Sequence, residues 1–329
     1  MDNMLHLAIR GVVDQRAVSQ LQRCASAGDA TAGVLCADAH VGYSQPIGGA
    51  VAYPDHISPS GVGYDIGCGN KAVRTGLRTE DINDDDLAGI MDTIYAEIEF
   101  GVGKKNATPV DHPVIDAIRS ADFAPQRALA DMARVQLGTV GAGNHYVDLF
   151  AGDDGFLWVG VHFGSRGFGH RTASGFLSLA AGGRFDERVR DGEMDAPPVL
   201  LGVGSELGQS YISAMRLAGD YAYAGRDVVV AKVLEILGTE ATKDVHNHHN
   251  LAWRERHFGA DVGDPQGLHA GVPGPGGLRG GDDARAVGDP ARDRRAGRGR
   301  VDVLDRARRG ARDVAHPGRG PLRHADGVW

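Results

Sequence analysis

The order of apolar and polar positions predicts short strands and helices that alternate along the first part of the chain. Residues 14–28 have the pattern of a short helix, and residues 33–37 and 50–53 are short apolar strands. Residues 71–77 form a further apolar strand. The first of these strands delivers an Asp-x-His pair to a loop, a pattern as typical of a solvated turn as of a ligand site.

Longer helices are predicted in the middle of the chain and beyond it. Residues 79–98 open with a threonine and acidic side chains, which favour a helix N-terminus, and continue with apolar residues at helical spacing. Residues 113–135 form a second predicted helix. A third covers residues 205–236, with a break expected at Gly219.

Two later strands complete the pattern. Residues 156–161 are apolar throughout, as in a buried strand, and another strand begins near His145 after a Gly-rich loop. Strands and helices interleave without an internal repeat. The sequence therefore predicts an α+β fold with mixed, multi-stranded sheets and an active site at strand ends and loops.

Composition narrows the function classes. A chain of 329 residues can bury a large hydrophobic core. Its net charge of −8 argues against binding of nucleic acid through overall positive charge, so any contact with RNA needs a local basic patch. Three cysteines cannot build a disulfide framework, which favours a reducing cytoplasm. We expect no secretory signal and no membrane span.

Residues 61–69 read G-V-G-Y-D-I-G-C-G and are the first candidate for chemistry. Glycines let the backbone adopt positive φ and approach a ligand closely, so Asp65 and Cys68 can converge on one point. The pattern predicts a metal-binding loop. Taken alone, the stretch is also compatible with a buried structural cysteine beside a turn aspartate.

Other candidate ligands follow strands or Gly-rich loops. His145 stands beside Asn144 at a strand start, and His162 ends a strand that runs into G-S-R-G, where Arg166 suits an anion site. Three histidines within residues 246–249, among them His249, favour metal over a solvated turn. Spacing alone does not establish that these side chains meet.

Five blocks together resemble one family, the RtcB RNA ligases. They are A-D-A-H-V-G-Y-S-Q-P-I-G-G at 37–49, S-P-S-G-V-G-Y-D-I-G-C-G at 58–69, G-T-V-G-A-G-N-H-Y at 138–146, H-F-G-S-R-G-F-G-H at 162–170 and H-H-N-L-A-W-R-E at 248–255. The resemblance covers the chain to about residue 262 and implies an RtcB-like catalytic domain over 1–262, C-terminally incomplete.

The resemblance implies a GTP-dependent ligase with two Mn²⁺ ions. Such an enzyme joins an RNA 3′-phosphate or 2′,3′-cyclic phosphate end to a 5′-hydroxyl end, in tRNA splicing or RNA repair, and a protein activator is a possible partner. Cys68 would bridge the two metals, and Asn144 and Arg166 would hold nucleotide phosphates. The remaining implied metal ligands are Asp65, His145, His162 and His249.

Composition changes abruptly at residue 263. Residues 263–329 lack Lys, Glu, Ser, Thr, Asn, Ile, Phe, Tyr, Met and Cys, which is typical of a disordered low-complexity tail. The family's guanylated histidine, in a run like H-G-A-G-R, does not occur in this sequence. A one-base frame shift in residues 304–316 permits that run, and the same offset permits a second family-like run in 263–276. We therefore predict a frame error near Val262.

These observations leave three functions to weigh. The first is an RtcB-type ligase whose activity in this chain is lost with the guanylated histidine, so that no catalytic nucleophile is identified. The second is a metal-dependent phosphodiesterase that opens cyclic phosphate ends. The third is a non-catalytic metal- or RNA-binding remnant.

Overall fold

The computed structural model describes residues 6–187 and 194–254, together with the backbone of residues 268–270. The strands are β1 (His6–Ile9), β2 (Ala32–His40), β3 (Ile47–Ala52), β4 (His56–Ile57), β5 (Gly69–Arg78), β6 (Tyr146–Ala151), β7 (Phe156–Phe163), β8 (Leu201–Gly202), β9 (Ala241–His248), β10 (Asn250–Ala252) and β11 (Leu268–Ala270). The helices are α1 (Gln15–Ala25), α2 (Pro59–Val62), α3 (Asp84–Glu97), α4 (Pro113–Arg119), α5 (Ala124–Arg127), α6 (Ala130–Gln136), α7 (Arg166–Ala180) and α8 (Glu206–Leu237). The α+β prediction is confirmed.

A four-stranded antiparallel sheet, in the order β6-β7-β5-β9, organises the part of the molecule that matters for function. Strand β5 lies inside the sheet, between β7 and β9. Strand β7 is almost wholly buried, as its run of apolar residues predicts. Its buried face packs against α8, so helix α8 covers one face of this sheet.

A second sheet has the order β1-β2-β3-β11-β10. Strands β1 and β2 are parallel, and the other neighbours are antiparallel. Strand β11 belongs to the segment predicted as a tail, and its backbone pairs with β10 and β3. Residues 255–267 and 271–329 lie outside the described part of the chain, and with them the predicted domain boundary at residue 262 and the predicted disorder.

Helix α8 is the longest element, with 32 residues. The Ser205 hydroxyl accepts a hydrogen bond from the Gly208 amide at its N-terminus, and Gly238 ends it in the left-handed conformation. Its first half packs into one hydrophobic cluster and its second half into another, so the helix joins the two cores. The predicted break at Gly219 does not occur.

Local predictions failed where turn chemistry or packing overrode periodicity. The single helix predicted over 113–135 is wrong, because α4, α5 and α6 replace it. Pro125 lies in the first turn of α5, where the amide hydrogen that proline lacks would have no helical partner. In the middle of one continuous helix the same proline would break the hydrogen-bond ladder, so the helix ends before it and a new one begins. Helix α7 and strand β9 were not predicted.

Among the described residues, no helix combines the length and the apolar character needed to cross a membrane.

Candidate metal centre

The register of the four-stranded sheet brings distant residues to one edge. Gly69 begins β5 and pairs with Phe163 near the end of β7 and with His248 at the end of β9. Tyr146 begins β6 and pairs with His162. Antiparallel neighbours alternate in direction, so these strand starts and strand ends meet at the same edge. The side chains on or next to these positions are those of Cys68, His145, His162 and His249.

The predicted metal ligands form two groups that share Cys68. One group is Cys68, His162 and His249, and the other is Asp65, Cys68 and His145; within each group the potential ligand atoms lie within 4.8 Å of one another. Sharing one sulfur is the arrangement expected of a thiolate between two cations. All five residues predicted as ligands are therefore brought together.

Distances around the sulfur are consistent with this grouping. The Cys68 Sγ is 3.4 Å from the Nε2 of His162 and 3.9 Å from the Nε2 of His145. The same Nε2 of His145 lies 2.8 Å from Asp65 Oδ2. The rings of His162 and His249 stack with centroids 5.2 Å apart. These nitrogens face the sulfur or the carboxylate rather than solvent.

The loop that carries Asp65 and Cys68 is held by backbone hydrogen bonds. The Cys68 amide donates to the Asp65 carbonyl at 3.0 Å, which closes the turn, and the His249 amide donates to the Cys68 carbonyl at 2.8 Å. Gly67 has a φ of 72°, and a Cβ there would lie 3.0 Å from atoms of helix α8. The loop therefore requires glycine at this position for both conformation and space.

Burial keeps the imidazoles of His162 and His249 neutral. It is the largest influence on His162, whose pKa falls to about 4, with the neighbouring His249 and His145 adding to the effect. Burial, followed by the Arg226 charge, lowers the pKa of His249 as well. Neutral imidazole is the form that binds a metal, so these two rings are available as ligands near pH 7.

The pKa values of the two acidic ligands, Cys68 and Asp65, shift in opposite directions in the folded protein. Burial, together with the charge of Asp65, raises the pKa of the Cys68 thiol well above its ordinary value. Burial also acts to raise the pKa of Asp65, but the hydrogen bond and charge of His145 outweigh it and lower the pKa overall. Without metal the site holds a thiol and a carboxylate, and metal binding at Cys68 must release a proton.

The two residues predicted to hold nucleotide phosphates lie beside the metal ligands. The exposed Asn144 is placed to donate from Nδ2 to His162 Nε2 at 3.3 Å. Arg166, at a φ of 54°, has Nη1 3.4 Å from His145 Nδ1 and donates from Nη2 to the Gly101 carbonyl at 3.2 Å. Both side chains therefore border the ligand groups.

Sequence reasoning missed Asn70, which orients a ligand. Its Oδ1 is 2.8 Å from His162 Nδ1 and also accepts from the Tyr146 hydroxyl at 3.3 Å. An acceptor at Nδ1 places the ring hydrogen there and leaves the Nε2 lone pair directed at Cys68. The signal in the sequence is only that Asn70 lies two residues after Cys68, where strand alternation puts both side chains on one face. That this is also the face of His162 follows from the register of β5 and β7.

The three clustered histidines have separate roles. Only His249 belongs to either ligand group among the residues that the structure describes. His246 contacts Arg226 and stacks on Tyr223 with centroids 3.9 Å apart, and His248 packs beside Trp253. Their density predicted metal binding for the whole run, but strand alternation puts His246 and His248 on one face of β9, where both rings contact Tyr223, and only His249, just after the strand, joins a ligand group.

The donor set suits divalent transition metals. A thiolate and imidazoles are borderline-soft ligands, and a carboxylate adds a hard oxygen. Each group contributes three protein ligands, which leaves coordination positions open, as in catalytic rather than structural sites. The residues therefore fit a two-metal centre without selecting one ion.

Three curated relatives are similar over 61–75% of this chain. The tRNA-splicing ligase RtcB of Archaeoglobus fulgidus is 27% identical over 306 residues, covering 75% of this chain and 62% of the relative. That of Thermococcus kodakarensis is 30% identical over 250 residues, covering 61% and 51%. The RNA-splicing ligase RtcB of Escherichia coli is 27% identical over 255 residues, covering 68% and 60%. The chain thus spans between half and about three fifths of these relatives.

The family model described as tRNA-splicing ligase RtcB matches residues 20–124 and 116–263. The first range contains Asp65 and Cys68, and the second contains the three histidines of the ligand groups. The match therefore includes both ligand groups and the strands that position them. On this basis the chain belongs to the RtcB family.

Proposed function

We propose that the chain carries the metal centre of an RtcB-type RNA ligase, which joins RNA 3′-phosphate or 2′,3′-cyclic phosphate ends to 5′-hydroxyl ends. The observation that carries the proposal is the sharing of Cys68 by two ligand groups. Family membership supports RNA as the substrate class. The cytoplasm is the proposed location, since no disulfide pairs the three cysteines among the described residues.

The centre would hold two divalent ions, with Cys68 common to both. When bound, the ions would neutralise phosphate charge and polarise P–O bonds. His162 and His249 would complete one shell, and Asp65 and His145 the other. The neutral imidazoles of His162 and His249 and the lowered pKa of Asp65 prepare these three residues for that role.

Asn144 and Arg166 are proposed to hold phosphate groups of GTP or RNA. The Arg166 guanidinium is half-buried; burial lowers its pKa, and the charge of Asp65 opposes that shift. Arginine side chains keep their charge in proteins, so Arg166 offers a cation here. An exposed amide and a fixed cation at one edge of the cluster suit an anion. Arg166→Met is expected to weaken GTP binding while metal binding is retained.

Manganese is proposed from the family resemblance and not from the ligands. Thiolate and imidazole donors ordinarily favour Zn²⁺. Metal analysis of the protein purified from cells grown without added metal distinguishes the two. Two Mn²⁺ per chain would support the proposal, and stoichiometric Zn²⁺ that Mn²⁺ fails to displace would contradict it.

We propose that this chain does not form a covalent guanylate, because its sequence contains no H-G-A-G-R run. Residues 1–262 would be the catalytic domain, and residues 263–329 the product of a shifted frame. Incubation with labelled GTP and Mn²⁺ should leave the protein unlabelled. A GMP-labelled protein would overturn this part, and a gene that lacks the shifted H-G-A-G-R codons over 307–311 would refute the frame error.

A phosphodiesterase is the second candidate, because both ligand groups are present while the guanylated histidine is not. RNA carrying a 2′,3′-cyclic phosphate and a 5′-hydroxyl end separates the functions when incubated with the full chain, GTP and Mn²⁺. A joined product indicates ligation, and a 3′-phosphate alone indicates hydrolysis. Unchanged RNA with two bound metals indicates a ligase centre without its nucleophile.

The matched control for this assay is the half-buried Cys36, which lies on β2 outside both ligand groups. Any RNA product should disappear in Cys68→Ala and persist in Cys36→Ser. Unchanged RNA with no bound metal would leave only the non-catalytic remnant. A product that persists in Cys68→Ala would show that the metal centre is not responsible.

A further inference from the structure

We propose that Arg226 is a positioning residue that holds three chain segments of the metal centre in mutual register. The inference rests on the proposed metal function. Arg226 lies on α8 and is fully buried, with 0% of its surface exposed. It belongs to no ligand group, yet its guanidinium contacts backbone or side chains next to three ligands.

The terminal nitrogen Nη1 joins two of these segments. It donates to the Gly67 carbonyl at 2.8 Å and to the Phe163 carbonyl at 2.6 Å. Gly67 precedes Cys68, and Phe163 follows His162. One nitrogen therefore fixes the distance between the backbone of the shared cysteine and the backbone of the nearest histidine ligand.

The Nε of Arg226 reaches the third segment. It donates to His246 Nε2 at 2.8 Å, and the guanidinium also lies over the Tyr223 ring at 4.9 Å. His246 is on β9, the strand that leads directly to His249. The position of His249 is thus tied to the same guanidinium.

Charged residues on the side of the His246 ring opposite Arg226 fix the orientation of that ring. Because Nε2 accepts from Arg226, the ring hydrogen is on Nδ1, which faces Asp227 Oδ1 at 3.4 Å. Lys71 holds Asp227 at 2.7 Å and Asp244 at 2.6 Å. The Nε2 atom of His246, which accepts the hydrogen bond from Arg226, is therefore oriented before any metal binds.

Burying the Arg226 cation costs free energy unless its hydrogen bonds offset that cost. Within the described ranges no carboxylate lies at ion-pair distance from the guanidinium, and its Nη2 has no hydrogen-bond partner. Burial lowers the Arg226 pKa to about 10, so it stays protonated at neutral pH. An apolar side chain of equal size would suit the core better, which argues that the contacts to the centre are its purpose.

The test compares Co²⁺ binding by full-length wild type, Arg226→Lys and Arg226→Met. Arg216, exposed on the same helix, provides the matched control as Arg216→Met. The readouts are Co²⁺ affinity, the thiolate-to-Co²⁺ absorption per bound ion, and circular dichroism for folding. Loss of a group that orients ligands typically weakens metal binding by about 10- to 100-fold.

We expect Arg226→Met to fold and to bind Co²⁺ about tenfold or more weakly, with reduced thiolate absorption per ion. Arg226→Lys should lie between it and wild type, because its single ammonium nitrogen can reach the two carbonyls but the side chain has no second nitrogen to donate to His246. Arg216→Met should match wild type. Wild-type protein that binds no Co²⁺ would instead refute the proposed metal function itself.

Two results would overturn the inference specifically. One is a folded Arg226→Met protein with wild-type affinity and absorption. The other is loss of the native circular dichroism in both Arg226 variants, since the residue would then serve folding rather than ligand geometry.

Discussion

Cys68 determines whether the cluster is one centre or two unrelated sites. Its sulfur belongs to both ligand groups, and its backbone is hydrogen-bonded to the turn that carries Asp65 and to the amide of His249. The buried thiol has a raised pKa, so metal must displace a proton to bind. At the scale of single residues, metal binding should therefore be strongly pH-dependent and sensitive to the groups that orient each ligand.

Asn70 provides the first test at this scale. Asn70→Leu removes the acceptor for His162 Nδ1, which frees the ring to rotate or to change tautomer. We expect metal affinity about tenfold or more below wild type, measured by equilibrium titration with Co²⁺. Asn70→Asp, which keeps an acceptor oxygen, should retain tight binding. Equal affinities for the Leu and Asp variants would contradict the role.

His246 provides a second test, through acid stability of the metal-free protein. Burial, followed by the charges of Arg226 and Lys71, lowers its pKa to about 3 from the ordinary 6.5. Between these values the unfolded chain binds a proton that the folded chain does not, so the free energy of unfolding falls as pH decreases from 6.5 towards 3.

The contribution of this one ring should be about 2 kcal/mol between pH 7 and pH 5, from about 1.4 kcal/mol per pH unit. Urea unfolding at both pH values, compared between wild type and His246→Gln, measures it. The variant should lose less stability on acidification. The same loss in both proteins would show that this imidazole does not titrate as described.

At the scale of elements, the centre depends on how closely the 61–69 loop approaches helix α8. Gly67 meets the helix at Gly219, so the glycine that suggested a helix break instead allows close contact. Arg226 then reaches back from the next turns of α8 to the loop carbonyl. The loop and the helix form one unit, which neither periodicity nor motif spacing indicated.

Gly67→Ala tests this contact, with Gly238→Ala as its control. Both glycines have positive φ, but a Cβ at Gly238 meets open space, whereas one at Gly67 lies 3.0 Å from Ala222 Cβ and Gly219 Cα. Left-handed strain alone costs about 1 kcal/mol, and overpacking adds about 1–3 kcal/mol.

Gly67→Ala should therefore be the less stable of the two in urea unfolding and should bind metal more weakly, because Cys68 is displaced. Gly238→Ala should bind metal as wild type does. If the two variants lost equal stability and kept equal affinity, the packing of the loop on α8 would not matter for the centre.

At the scale of the molecule, the resemblance to the RtcB family predicted which residues converge, but not what holds them. The five ligands were recognisable because they stand in the motif blocks that carry that resemblance. Arg226 has a weaker signal: it occupies the buried stripe of α8 with Ala222, Val229 and Val233, where a lone charge is unusual. The sheet register that aligns Gly69 with Phe163 and His248 was not predictable, because pairing between distant strands depends on the whole fold.

We propose that one sulfur, that of Cys68, joins two metal sites in this member of the RtcB family. Equilibrium titration of the full chain with Co²⁺, followed by metal analysis, tests it most directly, with Cys36→Ser as the cysteine control. We predict two ions per chain in wild type and in Cys36→Ser, and loss of both in Cys68→Ala, since neither group retains three ligands. A wild type that binds fewer than two ions, or a Cys68→Ala protein that still binds both, would contradict the claim.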